Sequence, residues 1–268
     1  MKIRIVFALI ALLYLYFNAN GQCQVENTTF TSGEKLKYVV YYNLKFIWIE
    51  IADIELTTSN IVYNGKSCLK ISSTWKTRSK YNRIIKVNDS FEAIINKDTL
   101  IVYEYNENVI QDKSISHVKY IYHNNENFLY AWIKVKDKKM KFDSIPINNC
   151  TFDILSTICY ARNINYSAYQ PDHVISYSVI LNDEINNLDI LFEGREDKLT
   201  KNKKTIPCFK IRPSILETEI FKGGNDKFTA WFSCDKNQVP IMAEAELFIG
   251  SVKVVLNSYK GLKYPGKY

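Results

Sequence analysis

The sequence has no long apolar run apart from the one at its N-terminus. A basic tetrapeptide begins the chain, apolar residues dominate positions 5–17, and the small residues Ala19 and Gly21 follow. This order is typical of a secretory signal peptide, and the run is shorter than the about 20 residues that a membrane-spanning helix needs. We therefore expect a signal peptide over residues 1–21 and no membrane-spanning helix.

Removal of that peptide would leave one exported β-rich domain over residues 22–268, a length that all-β folds commonly reach as a single unit. Cys23 follows the expected cleavage site, but Gln22 stands where a lipoprotein signal has a small residue. Lipidation of Cys23 is therefore the less favoured alternative. The formal charge of +7 favours anionic lipid headgroups or polysaccharide over nucleic acid as a partner, or serves solubility alone.

Signatures of nucleophilic and metal-dependent catalysis are also missing. The chain has no Gly-x-Ser-x-Gly elbow, and its three Ser-x-x-Lys matches lack the partner motifs of serine hydrolases. His117 and His123 lie six residues apart in a predicted strand, about 20 Å at 3.3 Å per residue. One zinc ion cannot bridge that distance. We therefore predict no cofactor and no metal site.

Paired carboxylates leave one enzymatic alternative open. Glu193/Glu196 and Glu217/Glu219 could act on a cell-wall or surface glycan if two carboxyl groups converged at about 5 to 10 Å. Exposed strand ends are the simpler interpretation, because Asp and Glu are rarely fully buried. The sequence favours a non-catalytic protein.

Six cysteines are present, and none of them forms a Cys-x-x-Cys pair. Export permits disulfides, but sequence does not give their pairing. Three of the six lie in apolar surroundings, where a free cysteine behaves as a small core residue. The six are Cys23, Cys68, Cys150, Cys159, Cys208 and Cys234, and the three predicted core residues are Cys68, Cys159 and Cys208.

Alternating apolar and polar residues, rich in β-branched and aromatic types, predict strands through most of the chain. A lysine-rich polar loop is expected over residues 197–204. The pattern predicts a mostly β fold, either an antiparallel sandwich or an open barrel-like curved sheet. The predicted strands are 34–42, 46–56, 56–63, 67–75, 83–87, 90–96, 100–105, 114–123, 128–135, 140–145, 174–181, 187–193, 205–212, 228–233, 239–249 and 251–258.

One segment between the two β halves changes its period. Ile154, Leu155, Ile158 and Ala161 fall on one face of a helix, which we place at about residues 152–163. Thr151 or Asp153 could cap its start, and Arg162 suits its C-terminal end. This amphipathic helix is expected to be the packing hub over which the sheet closes.

Several motifs together resemble one bacterial family. They are Gly33-Glu34-x-Leu36-x-Tyr38, Asp153-x-Leu155-Ser156 followed by Tyr160 and Arg162, Gly194-Arg195-Glu196, Trp231-x-Ser233-x-Asp235 with Pro240, and Gly250-Ser251. From Gly33 to Ser258 the chain resembles the domain of unknown function 3108. Departures include Cys159, where the family pattern has an aromatic residue, and a bulky run at 44–51 in place of expected glycines.

The resemblance implies an exported β domain of a Gram-negative envelope, located in the periplasm or at the periphery of the outer membrane. It brings no catalytic residue with it. The signature residues Asp153, Ser156, Tyr160, Arg162, Trp231, Ser233, Asp235 and Pro240 are therefore expected to be structural. The segment from Trp231 to Pro240 is predicted to form a strand, a turn and a second strand.

Trp132, Lys134 and Lys136 are the candidate contact residues. They are expected on one strand face, where tryptophan beside lysine suits anionic headgroups or sugars. Lysines on an edge strand also prevent unwanted strand pairing, and this is the interpretation that we favour.

The sequence thus predicts an exported, non-enzymatic envelope protein with a binding or structural role. Its 19 tyrosines, 14 phenylalanines and 4 tryptophans on a β scaffold favour a protein that holds a lipid or another apolar ligand. Two alternatives stay open. The core could be filled and the role purely structural, or the protein could attach peripherally to a membrane. The sequence does not give the identity of the ligand or the oligomeric state.

Overall fold

The structure is a computed structural model that describes residues 25–44, 47–83, 86–181, 183–214, 228–247 and 250–268. The predicted signal peptide, Cys23, Glu217 and Glu219 lie outside these residues. Among the helices within them, none has the length and apolar character to cross a membrane.

In the described residues, strands form most of the fold, with one α-helix and two short 3₁₀-helices, at Ser79–Tyr81 and Tyr166–Ala168. The elements are β1 (Lys35–Leu44), β2 (Ile47–Tyr63), β3 (Lys66–Thr77), β4 (Asn88–Asn96), β5 (Val102–Gln111), β6 (Ser114–His123), β7 (Phe128–Val135), β8 (Lys141–Pro146), β9 (Thr151–Phe152), α1 (Ile154–Asn163), β10 (His173–Leu181), β11 (Glu184–Leu199), β12 (Thr205–Pro213), β13 (Phe228–Ser233), β14 (Pro240–Glu246) and β15 (Ser251–Lys260).

All fifteen strands belong to one sheet, in the order β8-β7-β6-β5-β4-β3-β2-β1-β15-β14-β13-β12-β11-β10-β9. Neighbours are antiparallel except β9 and β10, which are parallel. The first and last strands, β1 and β15, pair at the centre and join the two halves. Of the two architectures expected from the sequence, the single open, curved sheet is the one observed, with one helix.

The sheet curls so that its two outermost strands approach each other. Only the short segment between β8 and β9 separates them in sequence, and Lys141 of β8 forms an ion pair with Asp183 after β10. Asn148 Nδ2 donates a hydrogen bond to Ser178 Oγ at 3.3 Å. The amide of Ser178 donates to the carbonyl of Cys150 at 2.9 Å. These contacts give the open sheet a barrel-like form.

Antiparallel order divides the connections between two ends of the sheet. At the end that we call the hairpin end, β1 turns to β2, β3 to β4, β5 to β6, β7 to β8, β10 to β11, β12 to β13, and β14 to β15. At the opposite end, the clasped end, lie residues 25–34, the connection from β13 to β14, and the residues after β15.

The helix and the inward-facing side chains fill the curved sheet. Helix α1 packs against β4, β9 and β10, and the buried residues of both halves form one continuous core. Each such large apolar side chain contributes about 1.5–3 kcal/mol through burial. The largest fully buried side chains include Arg162, Tyr105, Tyr120, Tyr166, Phe30 and Leu36.

Three predicted strand boundaries are wrong, because pairing with a neighbour carries the strand past a local polar break. β2 runs unbroken from Ile47 to Tyr63 along β1 and β3. β5 begins at Val102 and continues to Gln111 through polar residues that pair with β6. β11 extends to Leu199, so the lysine-rich loop is limited to residues 200–204.

Two further predictions need correction. Around the predicted strand 83–87, Arg83 lies in a turn and Val87 forms only an isolated bridge with Gln111, while residues 84–85 are outside the description. Of the expected strand 239–249, β14 covers Pro240–Glu246 and ends before Leu247, while residues 248–249 lie outside the described residues. The strand, turn and strand from Trp231 to Pro240 are confirmed by β13 and β14.

Candidate functional site

Helix α1 begins at a buried capping box. Asp153 Oδ1 accepts hydrogen bonds from the amides of Leu155 and Ser156, each at 2.9 Å. In return, Ser156 Oγ accepts from the Asp153 amide at 2.9 Å and donates to Asp153 Oδ2 at 2.8 Å. Burial raises the pKa of Asp153 to about 6, although these hydrogen bonds act to lower it. Of the two expected caps, Asp153 is the one observed.

The last turn of the helix carries a buried ion pair at the clasped end. Arg162 donates from Nη1 to Glu34 Oε1 at 2.5 Å and from Nη2 to Oε2 at 2.9 Å. Nη2 also donates to the carbonyl of Asn237 at 3.0 Å, and the guanidinium lies 4.9 Å from the ring centre of Phe30. The side chains of Arg162 and Glu34 are 2% and 1% exposed. Arg162 therefore binds the start of β1 to the helix.

Two further segments join this site. Asn237 exchanges hydrogen bonds with the backbone of Tyr264 at 3.1 and 2.9 Å, and the Tyr268 hydroxyl donates to Asp235 Oδ2 at 2.5 Å. Asn163 Oδ1 accepts from the Thr28 amide at 2.8 Å. We call this assembly the Arg162 hub, formed by residues 28–34, the end of α1, residues 233–239 and residues 264–268.

Close backbone contact inside the hub requires glycine. Gly33 has φ +92°, in the region that side chains avoid, and Gly261 has φ +66°. A Cβ on Gly261 would lie 2.1 Å from the Gly33 carbonyl oxygen. The segment after β15 thus lies directly on the segment before β1.

The predicted signature residues divide between the hub and its surroundings. Ser233 Oγ donates to Asp235 Oδ1 and accepts from the Val239 amide, both at 2.9 Å, which fixes the turn before Pro240. Tyr160 packs with Phe152 and Tyr177 inside the sheet, and Trp231 lies on β13. Asp153, Ser156, Arg162, Ser233 and Asp235 are thus engaged in contacts that fix helix α1 and the turn.

The Glu193/Glu196 pair is held by cations. Glu193 forms ion pairs with Arg212 and, at 3.1 Å, with Lys210. Lys210 also lies 3.6 Å from Glu196, which pairs with Lys198 at 2.5 Å. Burial acts to raise the pKa of Glu196, but hydrogen bonds from Lys198 and Trp231 hold it below its usual value. A general acid requires the opposite shift, so this pair does not resemble a glycosidase site.

The outer face of β6–β8 carries a row of aromatic rings. Ring centres are 5.0 Å apart for Phe128 and Tyr130, 6.0 Å for Tyr130 and Trp132, and 5.2 Å for Trp132 and Phe142. Phe142 is 56% exposed, and Met140 beside it is 60% exposed. These residues therefore present apolar surface to solvent.

Lysines border this row. Lys134 follows Trp132 on the same face of β7, and its ammonium donates to the carbonyl of Lys138. Lys136, Lys138 and Lys139 are exposed in the turn that follows. We call Tyr130, Trp132, Phe142, Met140 and these four lysines the aromatic–lysine face.

The prediction that Lys136 shares the strand face of Trp132 is wrong. β7 ends at Val135, and Lys136 occupies the turn with φ +30°. Sequence reasoning also missed Phe142 and Met140 as members of this surface. The signal was present, because a hairpin across the charged turn places the start of β8 opposite the end of β7.

His117 and His123 lie in two different environments, as expected for side chains that the sequence places far apart. His117 Nδ1 lies 2.5 Å from Asn108 Oδ1, while His123 stacks on Phe128 with ring centres 4.7 Å apart. Within the described ranges, no cluster of His, Cys, Asp or Glu could hold a metal ion.

The cysteines agree with the predicted core role of three of them. Cys68, Cys159 and Cys208 are free and buried, and Cys234 is free and half-buried. Burial raises the pKa of the Cys159 thiol to about 12, which keeps it protonated and unreactive. Cys150 is disulfide-bonded.

Comparison with known proteins supports the fold and gives no activity. The crystal structure of a β-barrel-like protein of domain of unknown function DUF1849 from Brucella abortus is similar to this chain, with a TM-score of 0.52 and 6% sequence identity. The similarity covers 88% of this chain and 97% of that one. No protein of curated function matches.

A family profile described as a protein of unknown function (DUF3108) matches residues 37–257. This range includes both halves of the sheet, helix α1 and residues 233–239 of the Arg162 hub. The resemblance that the sequence motifs suggested is therefore confirmed, and the chain belongs to the DUF3108 family.

Proposed function

We propose that this protein is an exported, non-catalytic β domain that attaches to the surface of an anionic lipid membrane in the bacterial envelope. The aromatic–lysine face makes the contact. The observation that carries the proposal is the exposure of Phe142 and Met140 next to Trp132 and a turn with three exposed lysines.

This combination matches the chemistry of a lipid headgroup region. Tryptophan, phenylalanine and methionine enter the boundary between headgroups and acyl chains, while lysines remain with anionic phosphates. Exposed apolar residues alone, or exposed lysines alone, would not indicate a membrane-binding surface. Single exposed apolar residues are common on soluble proteins, and surface lysines serve solubility.

The outer surface supports this role better than the interior does. Helix α1 lies inside the curved sheet, where side chains such as Tyr105, Tyr120 and Tyr166 are already buried in the core. An apolar ligand therefore finds accessible aromatic surface on β7 and β8.

Sedimentation with lipid vesicles tests the proposal. The mature protein should sediment with vesicles that contain phosphatidylglycerol and stay in solution with pure phosphatidylcholine. Phe142→Ser combined with Lys138→Glu and Lys139→Glu should reduce binding at least tenfold. Val62→Ser is the matched control, because Val62 is 74% exposed near the turn from β2 to β3, at the clasped end.

Equal binding of the triple variant and the unaltered protein would refute the proposal. Binding to purified envelope glycan in the absence of lipid, with no binding to anionic vesicles, would refute it as well. Circular dichroism of each variant confirms that a loss of binding does not reflect unfolding.

A further inference from the structure

We infer that the protein docks end-on, with Trp48 and Ile47 as a second point of membrane contact across the hairpin end from the aromatic–lysine face. This inference rests on the proposed function and adds the orientation in which the domain meets the lipid surface. The clasped end, with the Arg162 hub, would then face away from the membrane.

The sheet order places both contact points at the same end. β7 turns to β8 and β1 turns to β2 at the hairpin end. β8 and β2 are six strands apart in the sheet, a path of roughly 29 Å at about 4.8 Å per strand. The curl of the sheet shortens the direct distance, so the two points lie on different sides of one rim.

The second point has the same chemistry as the first. Ile47 is 65% exposed and Trp48 is 40% exposed. The ammonium of Lys253 lies 4.4 Å from the centre of the Trp48 ring. An exposed tryptophan beside a lysine suits the headgroup boundary, where the ring meets apolar chains and the ammonium meets phosphate.

Basic residues occupy the turns between the two points. The connections from β3 to β4 and from β5 to β6 carry four exposed basic side chains. Among the described residues of these two connections, Asp112 is the one exposed acidic residue. The four basic residues are Lys80, Arg83, Lys86 and Lys113. They would continue the positive surface of Lys136, Lys138 and Lys139 along the rim.

Aromatic residues, rather than charge, distinguish this end from the other. The clasped end also carries exposed lysines, such as Lys66 at the turn from β2 to β3 and Lys97 in the turn from β4 to β5. Among the described residues, its large exposed apolar residues are aliphatic, namely Val62 and Val174. In the part of the chain that the structure describes, the exposed large aromatic residues are Trp48, at 40%, and Phe142, at 56%, and both lie at the hairpin end.

Tryptophan fluorescence with brominated phosphatidylglycerol vesicles tests the orientation. Bromine quenches a tryptophan that enters the headgroup boundary, so the unaltered protein should lose intensity on binding. Trp48→Phe and Trp132→Phe should each remove part of this quenching and retain most of the binding. Trp231→Phe is the control and should leave the quenching unchanged, because Trp231 is 5% exposed on β13.

Trp48→Ser should also weaken vesicle binding three- to tenfold, while Val62→Ser, at the other end of the same strand, should not. If the protein binds and Trp132 accounts for all of the quenching, end-on docking is wrong and the proposed function stands. If neither tryptophan is quenched and the vesicles do not bind the protein, both proposals are wrong.

Discussion

Charged side chains have different environments at the two ends of the sheet. In the Arg162 hub, Arg162 and Glu34 are almost fully buried and form two hydrogen bonds with each other, while Arg162 Nε is buried without a hydrogen-bond partner. At the hairpin end, Lys138 and Lys139 are exposed beside Met140 and Phe142. Burying the charges of the hub costs desolvation free energy, which only a well-formed ion pair offsets. The hairpin end instead leaves charged and apolar side chains exposed to a binding partner.

This difference separates fold from function within one sheet. The hub brings four segments that are distant in sequence into contact, so its residues determine stability. The residues of the hairpin end have few contacts to lose and should affect docking alone. Substitutions in the hub should therefore lower the free energy of unfolding, whereas substitutions at the hairpin end should lower membrane binding.

The largest expected effect follows from Arg162→Met. The substitution leaves the Glu34 carboxylate buried without a cation, and loss of one partner of a buried pair costs about 3–5 kcal/mol. Urea unfolding should show this loss in the free energy of unfolding. Adding Glu34→Gln should recover part of it, and a double variant as unstable as the single one would contradict the assigned pairing.

The next effect concerns the pH dependence that Asp153 introduces. Its pKa of about 6 in the folded protein exceeds the ordinary 3.8, so the folded state holds the proton more tightly. The resulting stability is present below pH 3.8 and is lost as pH rises through 6. The whole contribution is about 3 kcal/mol at 1.36 kcal/mol per pKa unit.

Urea unfolding of the unaltered protein and of Asp153→Asn between pH 4 and pH 7 measures this contribution. The unaltered protein should lose stability across that range relative to the variant, since asparagine does not titrate. Parallel pH profiles for the two proteins would show that Asp153 does not titrate with a raised pKa.

The smallest effect on stability is expected at the aromatic–lysine face. Phe142→Ser replaces a side chain that is more than half exposed, so the free energy of unfolding should change by about 0.5 kcal/mol or less. Thermal unfolding checks this value. A loss above about 2 kcal/mol would mean that Phe142 is a structural residue.

Local patterns in the sequence were enough to predict the helix and most strands. The spacing of Ile154, Leu155, Ile158 and Ala161 indicated α1, and alternation indicated the β architecture. Predicted boundaries failed where a neighbouring strand decided the outcome. Residues 197–199 are polar at two of three positions, yet they continue β11 because β12 pairs with them.

The Arg162 hub could not be predicted as a site from sequence. Arg162 near a helix C-terminus is favourable in solvent as well, and its partner Glu34 is 128 residues away. The family motifs contain both residues but do not state that they touch. Asn237 and Tyr268, which complete the hub, carried no signal beyond turn propensity and an aromatic side chain.

Hydrogen–deuterium exchange with and without phosphatidylglycerol vesicles tests the separation of the two ends most directly. We predict slower exchange on binding at the turn between β7 and β8 and near Trp48, with no change at residues 233–239 or 264–268. Slower exchange confined to the clasped end, or no change at the hairpin end while the protein is bound to vesicles, would contradict the assignment of membrane binding to the hairpin end.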